Sequence, residues 1–217
     1  MVERTLVGFN ATIVAQSFNP SIVREAWLMK RGLLAEGSIA PGFVFSDQVV
    51  RVPTERFSLI VVPPQLQLAP TTREIAAEVM RDVLAPLVLA LPHTPMSAAG
   101  INMIWHIDPG TESVESLTKR LFAPKGLDLA DEFGTADARF GCYMSKDLGL
   151  CRLKLDIKPV ALKTVDDTRR LLQCAFNFHR ELSPDEAPKE ICELLDHWAE
   201  YDGLSEHLTD KVVGAAG

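Results

Sequence analysis

The stretch Cys174-Ala-Phe-Asn-Phe-His-Arg-Glu-Leu182, CAFNFHREL, carries apolar residues at every second position. In a β-strand successive side chains point to opposite faces, so Cys174, Phe176 and Phe178 face one way and Asn177 and His179 the other. One side of this strand is built for a core, and the other is polar. That two-sidedness is the mark of an antiparallel sheet covered on one face only.

The same alternation recurs outward from this point. In CRLKLDIK, Cys151, Leu153, Leu155 and Ile157 alternate with Arg152, Lys154, Asp156 and Lys158. In GINMIWHID, Met103, Trp105 and Ile107 alternate with Asn102, Ile104, His106 and Asp108. Residues 5–16 read as a first strand, and residues 43–69 as extended structure broken by the turn-like PTER. The double proline Pro63-Pro64 marks an edge or bulge there, since neither residue donates a ladder hydrogen bond. Two further strands flank SKDLG, and KTVDDTRR connects the second of them to the strand at Leu171–Leu182.

Helices are predicted between these runs. Asn19 and Pro20 open a short helix with the stripe Ile22, Val23, Ala26 and Trp27, closed by Gly32. Thr71–Glu74 has the form of a capping box, and Ile75, Val79, Val83 and Leu87 lie beside Ala76, Met80, Leu84 and Val88 in a broad apolar face. ESVESLTKRLF is weakly amphipathic, and APKGLDLADEFGTADA reads as loop. Ser183–Glu186 is a second capping box, leading into the stripe Ile191, Leu194, Leu195 and Trp198. GLSEHLTDKVV adds a terminal helix or turn.

Both halves therefore run strand, turn, strand, helix, over Phe43–Leu91 and Arg139–Trp198. The expected fold class is α+β: a mainly antiparallel sheet, or two joined sheets, with helices packed on one side and a possible pseudo-repeat. The expected organisation is one domain over 1–217, with similar halves at 1–110 and 138–213 joined by a variable segment, 111–137.

Composition excludes several classes. The chain is 47% hydrophobic and 24% charged, ordinary values for a globular protein. Its formal charge of -7 opposes phosphate neutralisation, and the basic pairs Lys30-Arg31, Lys119-Arg120 and Arg169-Arg170 are short, so nucleic acid is disfavoured. No apolar run reaches the ~18 residues of a membrane span, and MVERTLVGFN lacks the features of a secretion signal. Cys142, Cys151, Cys174 and Cys192 show no CxxC spacing. A cytoplasmic protein with reduced thiols and no membrane association is expected.

No phosphate-binding glycine loop, nucleotide fingerprint or GxSxG elbow is present. His93, His106, His179, His197 and His207 are dispersed without metal-ligand spacing, so no metal site and no cofactor is expected. Asp196-His197 and Glu206-His207 are expected to face water. Cys174 and His179 have opposite parity on one strand, which separates them as a nucleophile–base pair. What remains is an amide and imidazole set, Asn102, His106, Asn177 and His179, on the polar sides of two strands. These four are the candidate ligand-binding residues, and their polar face suits a small polar ligand if the two strands adjoin.

The segments IVAQSFNPSIVREAWLMKRGLL, FSLIVVPPQLQLAP and LPHTPMSAAGIN, followed more loosely by LKLDIKPV and FNFHREL, resemble a sporadically distributed family of conserved hypothetical bacterial proteins. That resemblance implies a compact bacterial α/β protein and brings no catalytic residue with it.

The functional expectation is a non-enzymatic interaction protein: a subunit, accessory factor or immunity-like partner acting through protein–protein contacts, with a homodimer as the expected self-association. An edge beside Pro63-Pro64 is the expected pairing surface. The alternative is a small-ligand-binding domain or enzyme that uses the Asn/His set.

Overall fold

The computed structural model describes residues 2–123, 132–135, 137–163 and 167–216. Among them, two 13-residue strands form the centre of the architecture: β1 (Glu3–Ala15) and β6 (Met96–Asp108), paired antiparallel. On the free side of β1 lie β5 (Gln65–Pro70), β4 (Phe57–Val62), β3 (Val50–Pro53) and the short β2 (Val44–Phe45). On the free side of β6 lie β9 (Thr168–Glu181), β8 (Arg152–Lys163) and β7 (Cys142–Asp147). The result is one nine-stranded antiparallel sheet in the order β2-β3-β4-β5-β1-β6-β9-β8-β7.

That order is close to a mirror of itself about the β1/β6 pair. On each side of that pair a long strand leads through a helix to strands that fold back, four on the β1 side and three on the β6 side, the last pairing with the long one, and then to helix. β6 thus holds on its side of the sheet the place that β1 holds on the other. Most of the 111–137 segment lies between β6 and β7. Its first part is a helix, α4 (Val114–Phe122), capped by Ser113, whose Oγ accepts the Ser116 amide at 3.1 Å. Residues 124–131 and 136, within the segment read as loop, lie outside the described residues, as do 164–166 in the KTVDDTRR connection.

The helices cover one face. α1 (Glu25–Lys30) follows a 3-10 turn, Pro20–Ile22, in which Asn19 Oδ1 accepts the Ser21 amide. The asparagine cap forms, but on that turn rather than on the helix. Val23 and Leu28 enter the core while Ile22 is left 44% exposed.

The helix predicted from the broad apolar face is a composite. It runs through α2 (Ala76–Val79), a π turn (Met80–Leu84) and α3 (Ala85–Leu89). Pro86 has no N–H and its ring would clash with the carbonyl four residues back, and the wider turn just before it relieves both problems. Ala76, Val79, Met80, Val83, Leu84, Leu87 and Val88 are all buried, as their spacing predicts.

Neither capping box forms. Thr71 Oγ1 donates to the Glu55 carbonyl at 2.7 Å, and α2 begins only at Ala76. The Ser183 amide donates instead to Glu190 at 2.7 Å, and α5 (Ala187–Asp196) carries Pro188, not Pro184, in its first turn. In both cases a longer-range partner of suitable chemistry outcompetes the local one. The chain breaks at His197, and α6 (Trp198–Ala216) continues to the end of the described residues as one 19-residue helix. None of the described helices is long and apolar enough to cross a membrane.

Pro63-Pro64 does not sit at a sheet edge. It is the tight turn between β4 and β5, both interior strands, and the two proline carbonyls accept the amides of Phe18 and Ala15 at 2.7 and 3.2 Å. Proline costs nothing there, because a turn carries no ladder donor. The edges of the sheet are β2 and β7. The pairing edge expected beside these prolines is therefore absent.

A clamp holds α6 to the sheet. The register of β1 slips at Val7, which bulges outward and is 49% exposed. Beyond that slip the parity of β1 reverses, and Arg4 lies on the helix side opposite Ile107. Arg4 and Arg73 stack on the indole of Trp105 at 5.0 and 5.3 Å. Arg73 bonds Asp202 at 2.7 Å and Glu206 at 2.6 Å, while Arg4 bonds Glu206 at 2.9 Å and also Asp210. Glu206 therefore does not simply face water.

The two guanidinium groups, Arg73 first, hold the Glu206 carboxyl below the usual glutamate range. A carboxylate with a depressed folded-state pKa stabilises fully above its unfolded pKa of about 4.3, and that contribution is lost as pH falls through the folded value. Glu206→Gln is accordingly expected to flatten the acid limb of stability below about pH 4.3. Urea midpoints measured from pH 3 to 7 test this; wild-type and variant curves of the same shape would contradict it.

Candidate functional site

The face of the sheet opposite the helices is uncovered by any described element. Its residues follow from strand parity: Asn10 and Thr12 on β1, Gln65 and Gln67 on β5, Asn102, Ile104 and His106 on β6, Gln173, Ala175, Asn177 and His179 on β9, and Lys154 and Asp156 on β8. All of them are half-buried. The face holds a trough of about 520 Å³ lined by Asn10, Gln65, Gln67, Asn102, Asn177 and Lys154, with Tyr143 at its rim.

An amide ladder runs along the floor of the trough. Asn10, Asn102 and Asn177 are in register on three adjacent strands. Asn177 Nδ2 donates to Asn102 Oδ1 at 2.7 Å, and Asn102 Nδ2 donates to Asn10 Oδ1 at 2.9 Å. Thr12 Oγ1 donates to the same Asn10 oxygen at 3.1 Å. Hydrogen bonds chained this way polarise one another and fix the side chains before any ligand arrives. The Asn10 nitrogen and the Asn177 oxygen end the ladder, with no side-chain partner among the described residues.

Gly100 makes room for this arrangement. A Cβ at that position would lie 2.8 Å from Asn177 Nδ2. Ile104 and Ala175 supply the apolar part of the floor.

The four predicted site residues divide into one contacting pair and two separate histidines. Asn102 and Asn177 meet directly. His106 lies opposite Gln173, with Nε2 and Gln173 Oε1 3.3 Å apart, and its buried Nδ1 has no partner among the described residues. His179 lies opposite Gly100, six positions along β6 from His106, or about 20 Å at ~3.4 Å per residue. The two imidazoles do not share a pocket.

His179 is held below the usual histidine range by burial and then by Lys154, with Glu181 opposing. Cys174 is on the helix side with no exposed surface, and burial pushes its thiol up to about 12. Parity therefore separates Cys174 from His179 as the sequence predicts. No group of three or more potential metal ligands occurs among the described residues.

Sequence reasoning did not pick out Asn10, Thr12, Gln65, Gln67 or Lys154. The signal was present: Gln65 and Gln67 alternate with Leu66 and Leu68, and Asn10 and Thr12 with Ala11 and Ile13. Adjacency was lacking, because alternation assigns a face to each strand without saying which strands are neighbours. No protein-family model, no curated protein and no solved structure matches the chain.

Proposed function

We propose that this protein is a non-enzymatic interaction protein whose open sheet face receives a protein partner. The observation that carries this reading is the preformed Asn10–Asn102–Asn177 ladder on the floor of an uncovered trough. Small-ligand sites are mostly apolar and enclose the greater part of their ligand. This trough is open, broad and lined by amides and charges, which suits the polar surface of another chain. Its volume of about 520 Å³ also falls in the small-ligand range, which favours a second reading, a polar small molecule held by Asn102 and Asn177.

The test is co-purification from the native host. Ala175→Trp fills the trough with a bulky uncharged ring, while Asp185→Arg alters an exposed residue of the β9–α5 connection. Wild type and Asp185→Arg are expected to recover the same partner, and Ala175→Trp to lose it by about tenfold or more, as at a central contact. Equal recovery by all three chains, or a lone monomer from wild type, would overturn the reading.

A further inference from the structure

The ion pairs of the two faces can be compared residue by residue. On the helix side Arg4, Arg73 and Arg180 each bond two carboxylates; Arg180 holds Glu190 at 3.1 Å and Glu193 at 3.0 Å. On the open face, Lys158 is paired with Asp156 at 2.5 Å. Lys154 and Arg152 have no carboxylate partner among the described residues, and Arg152 reaches only Ser145 Oγ at 2.9 Å. Both side chains lie on the open face, two residues apart on β8, with Lys154 half-buried and Arg152 exposed.

Their position in the sheet is specific. Lys154 is the register partner of Asn177 and so continues the amide ladder onto β8. Arg152 is the register partner of His179. Lys154 lines both the trough and an adjoining hollow of about 380 Å³, shared with Arg152, His179, Asp147 and Glu181. From β5 to β8 the trough crosses four strand spacings, about 19 Å at ~4.8 Å each. An extended peptide covers that distance with about six residues at ~3.3 Å each.

We infer that the open face takes an extended acidic segment of a partner protein, its side-chain carboxylates seated on Lys154 and Arg152 and its polar backbone along the Asn10–Asn102–Asn177 ladder. This rests on the reading of the open face as the partner surface and adds the chemistry of what lies there. The charge complementarity is local: Lys154 and Arg152 have no carboxylate partner among the described residues, at the end of the ladder where the segment's acids would lie. Carboxylates meeting a guanidinium and an ammonium form the stronger, charge-assisted class of hydrogen bond.

The experiment titrates the isotope-labelled full chain with hexaglutamate, hexaglutamine, hexalysine and inorganic phosphate, following backbone amide shifts at low salt. Hexaglutamate is expected to move the resonances of Lys154, Asn177 and Asn102 together, and hexalysine to leave them in place. Arg152→Glu with Lys154→Glu is expected to weaken hexaglutamate binding by about tenfold or more. Lys154→Gln, which removes the charge at a half-buried position and leaves the fold intact, is expected to weaken it by a smaller factor.

Equal effects of hexaglutamate and hexalysine would overturn the inference, as would undiminished binding by the charge-reversed chain. Phosphate acting as strongly as hexaglutamate, with shifts confined to Arg152 and Lys154, would also overturn it, pointing to a free anion as occupant. If the peptide fails while Ala175→Trp still loses the host partner, the acidic segment is wrong and the partner surface stands. If Ala175→Trp retains the partner, the surface itself is wrong whatever the peptide does.

Discussion

Trp105→Ala is expected to lower the free energy of unfolding by about 3–5 kcal/mol, the range for truncating a large buried aromatic. Trp105 is 2% exposed and lies on the helix-facing side of β6. Its loss opens a cavity between the two central strands and α6. It also removes the surface on which Arg4 and Arg73 stack, and the acceptor Ser205 Oγ, 3.0 Å from the indole nitrogen, loses its donor. The ion pairs of Arg73 with Asp202 and Glu206 are partly solvated, so they contribute less than their geometry suggests.

Ser205→Ala separates the terms. It deletes the hydroxyl and leaves the buried indole N–H in place without its acceptor, with an expected cost of about 1–3 kcal/mol. Urea denaturation of both variants checks the pair. A Trp105→Ala loss no larger than that of Ser205→Ala would mean that α6 is not held through this residue.

The second large effect is expected one strand away, where neighbouring residues give opposite results. Phe178→Ala is expected to cost about 3–5 kcal/mol. Phe178 has no exposed surface and stacks on Tyr201 of α6, with ring centroids 4.4 Å apart and planes inclined by 12°. Asn177→Ala, on the other face, removes a half-buried amide from a ladder open to water, and its expected cost is about 1 kcal/mol. The same substitution should disturb partner binding far more than stability. Phe178→Ala removes packing beneath the sheet and no side chain that lines the trough. Comparable losses of stability from the two would contradict the one-sided burial on which the fold rests.

Much of the fold was legible because burial has a period. Alternation in Cys174–Leu182, in Cys151–Lys158 and in Gly100–Asp108 marked the face of each strand, and spacing marked the buried side of Ile75–Val88. What misled were local signals with distant competitors. Thr71 and Ser183 look like caps until the Glu55 carbonyl and the Glu190 carboxylate are near them. Pro63-Pro64 looks like an edge until the carbonyls of both prolines are seen accepting hydrogen bonds from Ala15, the last residue of β1, and from Phe18 just beyond it. The Val7 bulge hides Arg4 from any parity rule, because one extra residue inverts every side chain beyond it.

Of the candidate site, the sequence by itself determined that Asn102 and Asn177 are polar residues on strands whose other faces are buried. It determined likewise that Cys174 and His179 point apart. Only the tertiary structure decided that β6 and β9 are neighbours, in a register that sets the two amides 2.7 Å apart and the two histidines at opposite ends. The physical reason is the range of each interaction. Side-chain direction is fixed by the residue's own backbone, whereas strand order and register are fixed by helices that bury one face of the whole sheet at once.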